Sequence, residues 1–259
     1  MKRIHLFEFL DLNWFPKTWH DLITDFISHV AAKDKMYTPV AKLLEPIFGK
    51  SDRYSIVDLC SGAGTPVLTV IDEFDKGIAN KMQVTLTDKY PNVTAFKRIS
   101  RASNGSIRFS ANSIDATNVP ETLQGFRTFF TSFHHFKKDS ALAILADAVK
   151  KEQGIGIFEF IERKLLILLG ALFLPLQVWL KTPFIRPFCW RRILWTYPIP
   201  IVPLVALWDA SISCLRSYSV DELHELIKQF KDCGYSWQIG QIKTIGPFNI
   251  TYLIGYPDL

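Results

Sequence analysis

The stretch Ile56–Pro66 constrains the fold of this chain more than any other segment. Its apolar beginning, Ile56–Cys60, predicts a buried strand. Gly62 and Gly64 follow, and residues without a Cβ let the backbone turn tightly and approach a ligand closely. The pair Thr65-Pro66 then suits the N-cap and the first position of a helix. A strand, a glycine loop and a helix in this order predict a nucleotide-type ligand site at the end of a parallel strand.

Two kinds of nucleotide site share this arrangement, and their glycine spacing separates them. A dinucleotide loop has a third glycine where helix and strand pack together, but Val67 stands at that place. A nicotinamide-dependent oxidoreductase therefore stays as an alternative only. The spacing D-x-x-x-G-x-G of Asp58–Gly64 instead resembles the loop of class I S-adenosylmethionine-dependent methyltransferases, with Cys60 at a place where that family often has glycine.

Two further strand ends extend the resemblance. Met82–Thr87 predicts a strand that ends at Asp88, and the resemblance implies that this carboxylate accepts the two ribose hydroxyls of the cofactor. The segment after the strand Ile107–Asn112 resembles the turn in which that family binds adenine. The resemblance thus implies S-adenosylmethionine as the cofactor, with binding residues Asp58, Cys60, Gly62, Gly64, Asp88, Asn112, Asp115, Ala116 and Thr131.

Strand and helix patterns alternate five times between residues 56 and 161, which predicts a doubly wound α/β sheet. A helix beginning at Ser219 and a hairpin turning at Gly246-Pro247 complete it. The fold class is therefore a seven-stranded, Rossmann-like sheet of the class I methyltransferase type, with its last strand antiparallel. We predict strands at 56–60, 82–87, 107–112, 127–132, 155–161, 235–245 and 248–256, an N-terminal helical lid at 1–50, a core at 51–162 and 219–259, and a hydrophobic helical insertion at 163–218.

The acceptor side of the site is predicted from polar residues near the fourth and fifth strand ends. The pair His134-His135 resembles histidines that many class I methyltransferases place there, and an imidazole can take a proton near neutral pH. A purely structural role for the pair is the alternative. The candidate catalytic residues are His134, His135 and Glu159, and the candidate acceptor-binding residues are Tyr37, Trp14, Asp209, Ser213 and Arg216. Asp209 and Arg216 have the alternative of an ion pair that holds the insertion to the core.

The insertion has an unusual composition. It contains no acidic residue between Arg163 and Trp208, yet it carries six lysines and arginines and two long apolar runs broken by proline. Each run is shorter than the roughly 20 residues that span a bilayer. Cations and tryptophans beside apolar runs are typical of a membrane interface. We predict a monotopic hairpin on an anionic membrane, with a transmembrane pair, a soluble lid or a dimer interface as alternatives.

The composition narrows the remaining classes of function. A net charge of +5 gathered in one apolar region does not indicate nucleic-acid binding. Four scattered cysteines indicate neither a metal site nor disulfides, and the N-terminus has no signal-peptide pattern, so we predict a cytoplasmic protein on the inner face of the membrane. The predicted function is methyl transfer to an apolar or lipid-like acceptor. A non-catalytic membrane-docked scaffold is the alternative, and nothing in the sequence indicates an oligomeric state.

Overall fold

The computed structural model describes residues 1–49, 54–103, 105–246 and 248–258. Seven strands within these ranges form one sheet, in the order β3-β2-β1-β4-β5-β7-β6. The strands β1 to β5 are parallel, whereas β7 lies antiparallel between β5 and β6. This arrangement confirms the predicted fold class. The strands are β1 Ser55–Asp58, β2 Gln83–Leu86, β3 Ile107–Phe109, β4 Phe126–Phe130, β5 Ile155–Glu159, β6 Tyr235–Lys243 and β7 Asn249–Pro257.

Eleven α-helices are found within the described residues, and five short 3-10 turns lie among them. The helices that cover the sheet and its carboxyl edge are α1 Lys17–Lys33, α2 Ala41–Phe48, α3 Thr65–Ile71, α4 Lys76–Ala79, α5 Val93–Ala102 and α6 Lys138–Lys150. Those of the insertion and the last crossover are α7 Leu165–Ala171, α8 Leu174–Lys181, α9 Trp190–Thr196, α10 Ile201–Arg216 and α11 Val220–Ile227. The predicted start of α11 is confirmed, since Ser219 and Glu222 form a reciprocal capping box.

The glycine loop differs from its prediction by one residue. Gly64, not Thr65, is the N-cap of α3, and it adopts a left-handed conformation with φ of 82°. A Cβ at this position would lie 2.7 Å from Leu86 Cδ1 on the neighbouring strand. Gly64 is therefore required by backbone conformation and by packing, so that the loop turns sharply enough to start α3 beside β2.

The N-terminal region and the insertion (residues 163–218) pack on each other above the carboxyl edge of the sheet. One apolar cluster joins Leu22, Ile23 and Phe26 of α1 to Val178 of α8 and Val202 of α10, among others. Burial of such side chains contributes about 1.5–3 kcal/mol each, so the two regions stabilise one another. The predicted lid-to-core junction at residues 50–53, the turn residue Pro247 and the last residue, Leu259, lie outside the described residues.

No single helix in the described ranges is long and apolar enough to cross a membrane. Two bent pairs meet the length and composition requirement together: Leu165–Ala171 with Leu174–Phe184, bent by 47°, and Trp190–Thr196 with Ile201–Arg216, bent by 71°. The second pair packs into the protein through much of α10, where Val202, Val205 and Ile212 are buried. The apolar runs of the insertion are thus short, bent helices.

Candidate active site

A cleft of about 520 Å³ opens at the carboxyl ends of the parallel strands, where ligands bind in doubly wound sheets. We call it the central cleft. Its floor consists of loops after β1, β2, β3 and β4, and its roof consists of α1 and the segment before it. The lining includes Leu10, Asp11, His20, Thr24, Ser28, Cys60, Ser61, Gly62, Asp88, Lys89, Tyr90, Asp115, Ala116, Thr131, Ser132 and His135.

The carboxylate of Asp88 is fixed at the end of β2. Its Oδ2 accepts a 2.8 Å hydrogen bond from the Gly62 amide, and its Oδ1 accepts one of 2.8 Å from the Tyr90 amide. Each carboxylate oxygen has a second lone pair, so Asp88 retains acceptor capacity toward the cleft. A Cβ on Gly62 would meet only Thr24 Cγ2, at 4.0 Å. The glycine thus leaves open space beside an oriented carboxylate.

Asp58 and Cys60 differ in their relation to the cleft. Asp58 is buried, does not line the cleft, and accepts a 2.6 Å hydrogen bond from Thr128 Oγ1. Burial raises the pKa of this carboxyl to about 7, against the hydrogen bonds from Thr128 and Ser61. Its geometry is that of a group that joins β1 to β4 rather than a ligand contact. Cys60 lines the cleft, where burial and the nearby carboxylates raise the pKa of its thiol.

The predicted adenine turn is only partly in place. Asp115 and Ala116 line the cleft, and Asp115 Oδ1 accepts hydrogen bonds from the amide and the hydroxyl of Thr117, which lower its pKa. Asn112 lies outside the cleft and is exposed, because its backbone pairs with the Ser110 hydroxyl in a local turn. Thr131 lines the cleft in a left-handed conformation with φ of 45°.

His135 is the only one of the three predicted catalytic residues that lines the central cleft within the described residues. Its Nδ1 lies 2.7 Å from Asp11 Oδ1, 3.6 Å from Glu8 Oε2 and 3.5 Å from Arg216 Nη1, and its ring stacks on His134. Burial disfavours the imidazolium, but Glu8 and Asp11 outweigh burial and Arg216 and raise the pKa of His135 to about 9. At neutral pH this side chain is a cation rather than a free base.

His134 and Glu159 are buried behind His135. Glu159 Oε2 lies 2.7 Å from His134 Nδ1, and its Oε1 accepts a 2.7 Å hydrogen bond from the Phe133 amide. Both side chains are at most 2% exposed. Their predicted catalytic role is therefore not supported by the geometry, since neither reaches the cleft. Glu159 instead holds the 3-10 turn Phe133–His135 at the end of β4, which sets the position of His135.

Arg216 is the cation at the centre of the acidic groups. Its Nη1 lies 2.6 Å from Asp11 Oδ2 and 3.0 Å from Glu8 Oε1, and its Nε donates to Leu6 O at 2.6 Å. The side chains of Glu8, His134 and His135 converge within 4.8 Å, as metal ligands do. The Arg216 guanidinium supplies positive charge beside Glu8 in this cluster.

None of the five predicted acceptor-binding residues lines the central cleft. Tyr37 is buried with its hydroxyl 2.5 Å from Thr131 Oγ1, so it supports a residue that does line the cleft. Trp14 is 70% exposed. Asp209 accepts hydrogen bonds from the amides of Phe9 and Leu10, and burial raises its pKa to about 7; Ser213 donates to Asp209 O. Asp209 and Arg216 thus hold the N-terminal segment (residues 3–11), whereas the Ser213 hydroxyl bonds within α10.

The sequence prediction missed the polar side of α1. His20, Thr24 and Ser28 recur every four residues on α1, and all three line the cleft. Residues four apart share one face of a helix, so this stripe was a usable signal. A second cavity of about 280 Å³ adjoins the first and shares Leu10, His20, Lys89 and Tyr90 with it.

The fold is that of class I S-adenosylmethionine-dependent methyltransferases. An O-methyltransferase from neocarzinostatin biosynthesis, solved with S-adenosylmethionine and 2-hydroxy-5-methyl naphthoic acid, is similar over 89% of this chain, with a TM-score of 0.52 and 16% identity. The plantazolicin methyltransferase BamL, solved with a triazolic desmethylPZN analog and S-adenosylhomocysteine (SAH), is similar over 93% of this chain and 98% of its own, with a TM-score of 0.51 and 12% identity.

The pyocyanin biosynthetic protein PhzM is also similar, over 87% of this chain, with a TM-score of 0.51 and 12% identity. The chain spans about 55% of the length of the neocarzinostatin enzyme and 56% of PhzM. No protein-family model matches the sequence, and no curated protein matches it. At identities this low, the structural similarity establishes a shared fold alone.

The raised pKa of His135 predicts a specific loss of stability at alkaline pH. A histidine whose pKa is 6.5 in the unfolded chain and about 9 in the folded protein stabilises the fold fully below pH 6.5, and this contribution is lost as the pH rises through 9. We expect the free energy of unfolding, measured with urea, to fall between pH 7.5 and 9 in the wild type and to fall much less in His135→Asn.

His29→Asn is the matched control, because burial and nearby cations lower the pKa of His29 and it stays neutral throughout this pH range. The control is expected to keep the wild-type slope. An unchanged slope in His135→Asn would show that the imidazole is not held as a cation.

Proposed function

We propose that this protein is an S-adenosylmethionine-dependent methyltransferase that acts on an apolar, lipid-like acceptor at a membrane surface. The observation that carries the methyltransferase assignment is the hydrogen bond from the Gly62 amide to Asp88 at the edge of the central cleft. It sets an oriented carboxylate beside open space at the carboxyl end of the sheet. Structures with the same fold bind S-adenosylmethionine or SAH, which supports the cofactor assignment.

The residues present fit this cofactor. Asp88 has free acceptor capacity for ribose hydroxyls, and Asp115 with the small side chain of Ala116 borders the space for adenine. A volume of about 520 Å³ is within the range of small-molecule sites, which is roughly 300–1,000 Å³. The bound cofactor supplies an activated methyl group. The protein then has to hold the acceptor nucleophile in line with that methyl and exclude water, which requires positioning more than acid–base chemistry.

The exposed apolar side chains of the insertion support the membrane half of the proposal. Monomeric proteins rarely expose large contiguous apolar surfaces without a binding role. Interfacial helices place such side chains, tryptophans included, at the boundary of the headgroups and the acyl chains. The side chains that are at least half exposed are Leu165, Leu166, Leu169, Leu172, Phe173, Leu176, Leu180, Phe184, Phe188, Trp190 and Leu204.

The charges of the insertion contribute less to the proposed membrane binding than its composition suggests. Arg163, Lys164, Lys181 and Arg192 form ion pairs with Glu222, Glu162, Asp34 and Asp25 respectively. Only Arg186 and Arg191 are exposed cations of the insertion with no ion pair to the described part of the chain. At about 1 kcal/mol per cation near an anionic surface, they orient the protein, while apolar burial provides most of the proposed affinity.

The cofactor assignment predicts the effect of replacing two carboxylates at neighbouring strand ends. Titration calorimetry is expected to show S-adenosylmethionine binding that Asp88→Ala weakens roughly ten-fold or more, because the charged acceptor for the ribose is lost. Asp58→Asn is expected to bind nearly as the wild type does, since Asp58 does not line the cleft. Glu121→Ala, at an exposed site, controls for a general change of charge. Absence of binding in the wild type would contradict the proposal.

The membrane assignment predicts co-sedimentation with phosphatidylglycerol-containing vesicles. The triple variant Leu166→Ser, Phe173→Ser and Trp190→Ser is expected to lower vesicle binding roughly ten-fold or more, because it removes apolar side chains that would be buried in lipid. Ile245→Ser, a substitution at an exposed apolar residue of the β6–β7 hairpin, is the control. Wild-type protein that forms a dimer and does not bind the vesicles would contradict the membrane assignment.

A further inference from the structure

The turn at the end of β4 has a strained backbone. Thr131 adopts a φ of 45°, which is an outlier for a β-branched side chain. Its Oγ1 lies 2.5 Å from the Tyr37 hydroxyl and accepts a 3.0 Å hydrogen bond from the Phe160 amide, so two other segments of the chain hold it in place. Strain of this kind is concentrated at ligand sites. The turn therefore indicates a ligand contact in this part of the central cleft.

Ser132, the next residue, has a hydroxyl without a partner. The residue lines the central cleft and is 6% exposed, and its Oγ forms no hydrogen bond with the described part of the chain. A buried hydroxyl that stays unpaired lowers the stability of a protein. Rotation about the Cα–Cβ bond turns a serine hydroxyl without moving the backbone. A ligand in the cleft would supply the missing partner.

His135 has a second polar atom free at the same turn. Its Nδ1 lies 2.7 Å from Asp11 Oδ1 and 3.6 Å from Glu8 Oε2, whereas its Nε2 has no hydrogen-bond partner among residues that the structure describes. Burial disfavours the charged ring, but Glu8 and Asp11 raise the pKa of His135 to about 9, so Nε2 donates at neutral pH. The His135 amide donates to Ser132 O at 3.3 Å, and residues three apart in a 3-10 turn lie on one side.

The order of the strands relates these two donors to the proposed cofactor contacts. Asp115 follows β3 and Asp88 follows β2, and β1 lies between β2 and β4 in the sheet. A cofactor with its adenine at β3 and its ribose at β2 would extend across the glycine loop after β1 toward β4. Ser132 and His135 line the cleft at the end of β4, so they lie on the side that the reactive end of the cofactor would face.

Asp11 and His135, which line this side of the cleft, are unsuited to act as a base. Burial raises the pKa of Asp11, but hydrogen bonds from His135 and Arg216 outweigh burial and hold this pKa well below its usual range. His135 already carries its proton at neutral pH. A nucleophile that is ionised when it binds needs neither side chain to remove a proton.

We propose, resting on the methyltransferase function above, that Ser132 and His135 bind the acceptor through a phenolate, an ionised oxygen on an aromatic ring, which receives the methyl group. Such an oxygen has three lone pairs, so it can accept both hydrogen bonds and still attack. The cleft-lining rings of Phe130 and Phe136 suit an aromatic acceptor.

The transfer balances without a base. The bond from the acceptor oxygen to the methyl carbon forms as the bond from sulfur to that carbon breaks, and the electron pair of the broken bond goes to sulfur. A phenolate and a sulfonium thereby become an aryl ether and a thioether. Charge is conserved and no proton moves.

Titration of the SAH-loaded protein with two matched probes at pH 8 tests this proposal. At this pH 4-nitrophenol is largely ionised, whereas its methyl ether, 4-nitroanisole, has the same ring and no charge. The phenolate is expected to bind roughly ten-fold more tightly than the ether. Ser132→Ala and His135→Asn are each expected to remove most of this preference. Damage to the cleft as a whole would instead weaken both probes together.

Ser217→Ala is the matched control for Ser132→Ala. Ser217 is also buried, but its hydroxyl donates to Ser213 O at 2.8 Å. Without ligand, Ser217→Ala is expected to lower the midpoint of thermal unfolding by about 2–4 °C, because a hydrogen bond is lost. Ser132→Ala is expected to leave this midpoint unchanged, because its hydroxyl has no partner to lose. The preference for the phenolate is expected to stay at the wild-type value in Ser217→Ala.

The outcomes separate this proposal from the proposed function. Wild-type protein that binds SAH but binds neither probe, or binds both equally, overturns the phenolate assignment and leaves the methyltransferase function standing. A preference that Ser132→Ala does not change, or a loss of SAH binding in this variant, overturns the role of Ser132 toward the acceptor. Wild-type protein that does not bind SAH overturns the proposed function itself.

Discussion

The N-terminal segment above the central cleft depends on one buried guanidinium. Arg216 is 3% exposed in its side chain and joins α10 to Glu8 and Asp11 of the N-terminal segment, and its neighbour Asp11 holds His135. Removing a buried cation from such a cluster leaves carboxylates uncompensated, which costs several kcal/mol in comparable sites. The insertion, the N-terminal segment and the end of β4 are thus held in one electrostatic unit.

The core of the fold was predictable because its signals are local. Ser219 and Glu222 form a capping box three residues apart, and the strand, glycine loop and helix around Gly62 follow one another directly in sequence. Apolar strands between them define the sheet and its order of crossovers, although each predicted parallel strand ends one to three residues beyond the observed one. The cofactor side of the cleft shares this advantage, since each strand end carries its own polar residue. Asp58 and Asn112 are exceptions there, because Asp58 is buried against Thr128 and a turn with Ser110 directs Asn112 away from the cleft.

The acceptor side was not predictable in the same way because its contacts join distant parts of the chain. Asp209 and Arg216 do share a helix, but their partners are amides and carboxylates some 200 residues earlier. Spacing shows that two residues lie on one face of a helix, but it does not show which residues that face contacts. The insertion gives the same lesson for charge, since four of its cations have acidic partners outside it. Only the three-dimensional structure shows which charges of the insertion have acidic partners.

The most direct test of the central claim is hydrogen–deuterium exchange of the wild-type protein with and without SAH. A cofactor bound in the central cleft would slow exchange in the loops 60–66, 88–90 and 114–117, which border it after three different strands. Slower exchange in these three loops together, with β6 and β7 unchanged, is the result that the account predicts. Unchanged exchange in all three loops at a saturating concentration of SAH would contradict it.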